Sequence, residues 1–211
     1  MFDAVFFDFD GTLADSYPAI ASSVNHIRAL RGHGPLSVDE VKRQVGRGPE
    51  YLLTHTVPGT EIDVDLPRYR AHHPTVMVGL TTLLPGAAAA LAGLRRRGKK
   101  IALCSNKPRL FSADLLRHLG LAEWFHLILG PEDVKSPKPA PDVLLLAMSK
   151  LNVAPEKVLY IGDMTVDIET ARAAGVTVWI VPTGSDTLEA LIEAKPDRML
   201  RDLHQLLDDV S

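Results

Sequence analysis

The chain has 211 residues, 46% of them hydrophobic, and a formal net charge of -3. That length buries a full core and suits one large domain or two small ones, and the charge gives no general reason to bind nucleic acid or an anionic membrane. The single cysteine, Cys104, excludes an intramolecular disulfide, and its neighbours Ala102 and Leu103 predict a buried strand thiol.

The N-terminal MFDAVFFDFDG is apolar, but acids interrupt it, no basic segment precedes it and it is too short to span a bilayer. No targeting signal is visible, which predicts a cytoplasmic protein. Within it, residues 4–7 form a β-rich apolar run ending at Asp8. From about residue 15 the pattern turns helical. Ser16 and Pro18 open a helix with Ile20, Val24 and Ile27 on one face, Ser37 and Glu40 form a capping-box pattern, and residues 51–57 and 66–73 suit two more helices. After residue 83, apolar strand runs at 101–104, 158–161 and 176–181 alternate with helical stretches at 87–97, 110–119, 142–151 and 165–174. Gly98, Gly120 and Gly175 close three of these.

This alternation predicts an α/β fold, a doubly wound parallel sheet with a small inserted helical cap. Residues 1–14 and 84–211 form the core and residues 15–83 the cap, joined by linkers near 14–17 and 81–85. The basic run from Arg95 to Lys100 complements the C-terminus of the 87–97 helix rather than contacting nucleic acid.

In a parallel sheet the ligand crevice lies beyond the carboxyl ends of the strands, and the polar residues of this chain cluster there. The first strand delivers Asp8, Asp10, Gly11 and Thr12; the strand at 101–104 delivers Ser105, Asn106 and Lys107; the strand at 158–161 delivers Asp163, followed by Asp167. Four carboxylates converging on one crevice need a cation to remain ionised together, and all-oxygen ligands favour Mg²⁺. With that charge neutralised, Asp8 can attack phosphorus. Asp10, two residues on, is placed to protonate a leaving alcohol and then deprotonate water. Gly11 allows close backbone approach, Thr12, Ser105 and Asn106 offer hydrogen bonds to a phosphoryl group, and Lys138 offers a point charge. Pro137 and Pro139 favour Lys138 over Lys135 in that role. Ser105 and Asn106 also suit capping of the following helix, and Asp167 suits the first turn of its own.

These residues resemble the haloacid dehalogenase-like phosphatase superfamily over nearly the whole chain. FDFDGTLADS is similar to its first motif, CSNK to the second, SPKPAPD to the third and IGDMTVDIETARAAG to the fourth, in the family's order and with an insert after the first. The resemblance implies that Asp8 is the nucleophile and Asp10 the acid/base. It implies Mg²⁺ held by the Asp8 side chain, the Asp10 backbone carbonyl and Asp163, with Asp167 nearby through water. Met164 stands where many relatives carry serine or threonine. The insert resembles the helical cap of the phosphoglycolate phosphatase-like group, and Val45-Gly46-Arg47-Gly48 is similar to that group's cap loop. Two glycines flank Arg47 and free its segment to approach the crevice, which makes it the cap residue for substrate contact; the alternative is an exposed loop arginine.

The function this implies is Mg²⁺-dependent hydrolysis of a small phosphorylated metabolite, 2-phosphoglycolate first, by a monomer or homodimer. Alternatives are a sugar-phosphate phosphatase, a phosphosugar mutase, which differs only in excluding water from the aspartyl-phosphate, and a phosphate-binding regulator without turnover. Asp10 disfavours dehalogenation, because a halide leaves without a proton. Phosphonate cleavage wants a Schiff-base lysine from the cap, and the only lysine there, Lys42, lies among Asp39, Glu40 and Arg43, which predicts that it faces solvent. His72 and His73 are neighbours pointing about 100° apart in a helix, no metal pair, and are expected at the surface or a helix end.

Overall fold

In the computed structural model, residues 1–210 are described. In chain order they form β1 (Ala4–Phe7), β2 (Ala14–Asp15), α1 (Tyr17–Leu30), α2 (Val38–Lys42), α3 (Pro49–Thr56), α4 (Ile62–Met77), β3 (Thr82–Leu83), α5 (Ala87–Arg96), β4 (Lys100–Cys104) and α6 (Arg109–His118). There follow β5 (Leu127–Leu129), α7 (Asp142–Leu151), β6 (Val158–Gly162), α8 (Thr165–Ala174), β7 (Thr177–Ile180), α9 (Leu188–Glu193), β8 (Arg198–Met199) and α10 (Leu206–Asp209).

Six strands form one sheet in the order β5-β4-β1-β6-β7-β8, every pair parallel. β1 is buried on both faces, which is why its sequence is a continuous apolar run rather than an alternating one. Val5 and Phe7 pack with Leu91 and Leu94 of α5 and Leu115 of α6. Ala4 and Phe6 face the other way, into Leu144 of α7 and Ile168 of α8. Each fully buried phenylalanine contributes about 1.5–3 kcal/mol from burial alone. Helices thus cover both faces, as the alternating pattern predicts. The chain runs outward from β1 through β4 and β5, then returns past β1 to continue through β6, β7 and β8. The crevice at this reversal lies beyond β1, β4 and β6.

Helices α1 to α4 gather around a separate cluster that includes Ile20, Val24, Ile27, Leu53, Leu66 and Tyr69. The predicted capping box is present: Ser37 Oγ accepts from Glu40 N at 3.2 Å, and the Glu40 carboxylate accepts from Ser37 N at 2.8 Å. The segments expected to be plain linkers pair with each other instead, β2 antiparallel to β3 with Ala14 opposite Leu83 and Asp15 opposite Thr82. A two-stranded ribbon therefore carries the helical unit. Sequence reading missed β5, β8 and the short helices α9 and α10, because two to six residues are too few to display a period.

Two expectations need correction. His73 is 1% exposed, not superficial, because α4 packs along α1 and that register turns His73 inward. Both His73 Nδ1 and His72 Nδ1 reach Ser23 Oγ, at 2.9 and 3.3 Å. Lys42 does not point freely into solvent: its Nζ donates to the Thr183 carbonyl at 3.0 Å and lies 4.6 Å from the centre of the Tyr17 ring, bridging α2 to the core.

Candidate active site

Asp8 follows β1, and its backbone N–H donates to the Ile161 carbonyl of β6 at 2.9 Å, so the sheet itself fixes where the carboxylate emerges. The chain then turns tightly, with Gly11 N donating to Ala14 O at 2.9 Å. Gly11 adopts φ +83°, and a Cβ there would collide with the Tyr17 hydroxyl and the Asp163 carboxylate. The turn therefore requires glycine for both conformation and space.

Asp8, Asp163 and Asp167 place one carboxylate oxygen each within 4.8 Å of one another. Lys138 enters this cluster from below, 1% exposed at its side chain. Its three ammonium hydrogens have three acceptors: Asp8 Oδ2 at 2.9 Å, Asp167 Oδ1 at 2.7 Å and the Tyr160 hydroxyl at 3.0 Å. Burial works to lower the Lys138 pKa, but Asp167 and Asp8 outweigh it and hold the pKa above its usual value. Burial pushes Asp8 up to about 6; Lys138 opposes this and Asp167 adds to it. Asp163 is raised well above the carboxylate range, by burial first and then by Asp167 and Asp8.

One ammonium thus contacts two of three buried carboxylates, and two of the three, Asp8 and Asp163, are driven toward protonation. Among the described residues, Asp8 Oδ1 is buried with no hydrogen-bond partner. A buried anionic oxygen beside a second carboxylate, in an all-oxygen set, matches the ligands of a hard divalent cation. The residues present fit Mg²⁺.

Asp167 has a different environment from the other two. Its Oδ2 accepts from Asp163 N at 3.0 Å and Met164 N at 3.1 Å, and its Oδ1 accepts from Lys138 Nζ. These bonds occupy both oxygens and fix the loop that presents Asp163. Thr12, expected near the phosphoryl group, instead donates its hydroxyl to Asp163 Oδ1 at 2.5 Å and is fully buried.

Asp10 is not part of the three-carboxylate cluster. Its carboxylate accepts from Lys107 Nζ at 3.0 Å and from the Ser16 hydroxyl. Ser16 precedes α1 as expected, but its side chain does not cap the helix and serves Asp10 instead; the role of Lys107 was not anticipated, and a lysine directly after the Ser-Asn pair at a strand end was the available signal. Asp8 and Asp10 line one cavity of about 50 Å³, with Ser105 and Asn106 on the core side and Ile20, Val45, Leu52, Tyr69 and His73 on the helical side.

Asn106 is a bracket. Its Nδ2 donates to the Gly46 carbonyl and to the Lys138 carbonyl, both at 3.0 Å, and its Oδ1 accepts from Lys138 N at 2.9 Å. Neither it nor Ser105 caps α6, whose N-cap residue is Pro108; Ser105 Oγ accepts from Lys107 N within the same turn. Arg47 lies outside the cavity, its guanidinium 5.5 Å from the centre of the Tyr51 ring. Met164 packs under Gly46 and its sulfur receives the Ser185 hydroxyl at 3.5 Å.

Gly46 sits at φ +121°, and a Cβ on it would lie 2.8 Å from the Met164 sulfur and terminal methyl. The flexible Met164 side chain can yield, whereas the backbone conformation cannot, and it costs about 1–3 kcal/mol for a non-glycine residue. Gly46→Ala is therefore expected to weaken the Asn106 bracket and lower kcat/KM about tenfold. Substrate-dependent hydrogen-exchange protection at residues 45–48 should shrink with it; unchanged protection in the variant would refute the bracket's role.

A family model described as haloacid dehalogenase-like hydrolase matches residues 5–181. The chain is 31% identical over 212 residues to phosphoglycolate phosphatase 1 of Pseudomonas aeruginosa, covering 96% of this chain and 78% of that one. It is 38% identical over 179 residues to a phosphoglycolate phosphatase of Cereibacter sphaeroides, covering 82% and 81%. The structure is similar to that of a haloacid dehalogenase-like hydrolase from Bacteroides fragilis, with a TM-score of 0.90, 34% identity, and coverage of 98% of this chain and 100% of the other.

Proposed function

The chain belongs to the haloacid dehalogenase-like hydrolase family and is a phosphatase, and from that premise we propose that it is a Mg²⁺-dependent phosphomonoesterase working through an aspartyl-phosphate on Asp8. The observation that carries this reading is the pairing of Asp8, with one buried oxygen lacking a partner, and Asp10, held by Lys107, in a single small cavity. The helical unit of residues 15–83 acts as the cap over it, and the small volume favours a small metabolite.

An Asp8 carboxylate oxygen forms the bond to phosphorus as the ester oxygen departs with the bonding pair, and Asp10, which enters this step carrying a proton from solvent rather than as the carboxylate partner of Lys107, gives that oxygen its proton. Asp10, now a carboxylate, then takes a proton from water, whose oxygen attacks phosphorus and frees Asp8. Lys138 and the Ser105 hydroxyl offset charge around the phosphoryl oxygens, while Thr12 and Asp167 hold Asp163 in place. The Asp8 side chain, the Asp10 carbonyl and Asp163 would hold Mg²⁺, and the bound ion would neutralise charge between nucleophile and phosphate.

The names of the relatives put 2-phosphoglycolate first in a panel of phosphorylated metabolites assayed with Mg²⁺ and with chelator. Phosphate release that stops on chelation is expected; no turnover of any ester by folded protein would sink the proposal. Metal removal has a second readout. Mg²⁺ at a hundredfold excess over its Kd should stabilise the fold by about 2.7 kcal/mol, or roughly 5–10 °C in Tm for a chain of this size. A Tm indifferent to Mg²⁺ would contradict the assigned ligands. The hydrogen bond from Asn106 to the Gly46 carbonyl, which ties the cap loop to the core, also bears on a second reading as a phosphomutase, in which the cap keeps water from the aspartyl-phosphate. An isomeric sugar phosphate in place of inorganic phosphate, detected by chromatography, would establish it.

A further inference from the structure

Among the described residues lining the catalytic cavity, Lys107 carries the one formal cation. Lys138 is paired with Asp8 and Asp167 and is not part of that lining, and Arg47 lines the adjoining spaces instead. His73 does line the cavity, but burial, and after it the Lys107 charge, push its pKa down to about 2, so the ring is neutral.

The Lys107 side chain is 4% exposed and held in place from both ends. Its backbone N–H donates to Ser105 Oγ at 3.1 Å, and its Nζ lies 5.7 Å from the centre of the Phe9 ring. An ammonium this deeply placed has three hydrogens to satisfy. Its acceptors among the described residues are the two oxygens of Asp10, at 3.0 and 3.3 Å. One hydrogen is left for whatever fills the cavity.

The leaving alcohol comes to the same spot. Asp10 delivers a proton to the ester oxygen, which puts that oxygen a hydrogen-bond length of about 3 Å from the Asp10 carboxyl, and Lys107 Nζ lies 3.0 Å from that carboxyl too. Ser16 also donates to Oδ1, while Oδ2 has Lys107 alone, which leaves Oδ2 to carry the proton. In that state Ser16 still holds Asp10, Lys107 keeps Oδ1, and two ammonium hydrogens are available to a second anion. The other polar side chains of the lining are the neutral Tyr69, His73, Ser105 and Asn106 and the nucleophile Asp8. A negative charge on the alcohol half of the substrate therefore has one side chain to pair with.

Building on the phosphomonoesterase reading, we propose that Lys107 is a specificity-determining residue whose ammonium pairs with a carboxylate on the leaving alcohol while Asp10 protonates the oxygen of that alcohol. The ester best matched to this spacing is the phosphate of a small 2-hydroxy acid, in which a single carbon separates the ester oxygen from the carboxylate. A charge-assisted bond in such an enclosed site is stronger than a neutral one, and an uncharged alcohol of the same size forgoes it.

Two probes of equal size isolate the charge: 2-phosphoglycolate and its amide, 2-phosphoglycolamide, assayed with Mg²⁺ on the wild type, Lys107→Met, Lys107→Gln and Lys107→Arg. In the wild type, kcat/KM for the acid should exceed that for the amide by about tenfold or more, the span of a hydrogen bond to a charged group. The ratio should fall toward one in Lys107→Met and recover in part in Lys107→Arg. Lys107→Gln keeps a donor to Asp10 without the charge, so it should also lose the ratio, and it repeats the test if Lys107→Met does not fold. If Lys107 only holds Asp10, or touches the phosphoryl group shared by both esters, the two rates fall together, as they also do in a folding defect. A ratio unchanged in both neutral variants, or a wild-type ratio near one, overturns the inference without touching the phosphomonoesterase reading. Turnover of other esters but of neither probe has the same consequence. Absence of turnover with every ester overturns both.

Discussion

Asp8→Asn is expected to abolish turnover of every phosphomonoester, by at least about 10⁴-fold in kcat, because removing a covalent nucleophile leaves no alternative path through the same site. The amide keeps the shape of the carboxylate and can still accept from Lys138, so the lesion is chemical rather than architectural. Stability should move in the opposite direction. Burial and Asp167 already drive the Asp8 pKa up to about 6, which means that its charge is a burden to the metal-free fold near neutral pH. Replacing it by a neutral group removes repulsion with Asp163 and Asp167, and the metal-free variant should melt no lower than the wild type. The Mg²⁺-induced rise in Tm should shrink, since one ligand is gone. Steady-state kinetics and paired melting curves check these outcomes together. Retention of more than about 1% of wild-type kcat would rule out Asp8 as nucleophile.

How much of this site was legible in the sequence follows from the range of the interactions involved. Strand-end clustering pointed to one crevice for Asp8, Asp10, Ser105, Asn106 and Asp163, because in a parallel sheet the carboxyl ends of the strands all open on the same edge whatever their order. The fold class was legible for the same reason: residues 4–7, 101–104 and 158–161 are continuous apolar runs that only a sheet covered on both faces accommodates. What individual side chains do at the crevice was less legible. Thr12 points at Asp163, Asn106 at Gly46 and Lys138, and Lys107 at Asp10. Each bond spans from 32 to 151 positions of sequence apart from short local turns, and no local pattern encodes such pairings. His73 shows the limit most clearly. Two adjacent histidines on a weakly amphipathic helix look superficial until the packing of α4 on α1 supplies Ser23 as their common partner.

Lys138→Met should be the most destabilising change at the site. Methionine fills nearly the same volume, so the substitution isolates the charge. It leaves Asp8 Oδ2 and Asp167 Oδ1, both formerly within 2.9 Å of one ammonium, buried without a cation. Breaking a buried pair from one side costs about 3–5 kcal/mol, and here two carboxylates lose the same partner. At roughly 2–4 °C per kcal/mol for a chain of this size, Tm should fall by about 6–20 °C. Phosphatase activity should fall about 10²- to 10³-fold even at temperatures where the variant is folded, because the charge nearest the nucleophile is lost. A double substitution separates electrostatics from packing. If unpaired carboxylate charge is the cause, Asp8→Asn in the Lys138→Met background should recover a substantial part of the lost stability, giving a coupling well outside the 0.5 kcal/mol or so expected of independent sites, while activity stays absent. Additive stability losses would place the role of Lys138 in packing. The same cycle with Asp167→Asn carries a different expectation: Asp167 also accepts from Asp163 N and Met164 N, so neutralising it loosens the loop that presents Asp163. Recovery in that background should therefore be smaller than with Asp8→Asn, and the ordering of the two recoveries measures how far Lys138 serves the nucleophile rather than the loop.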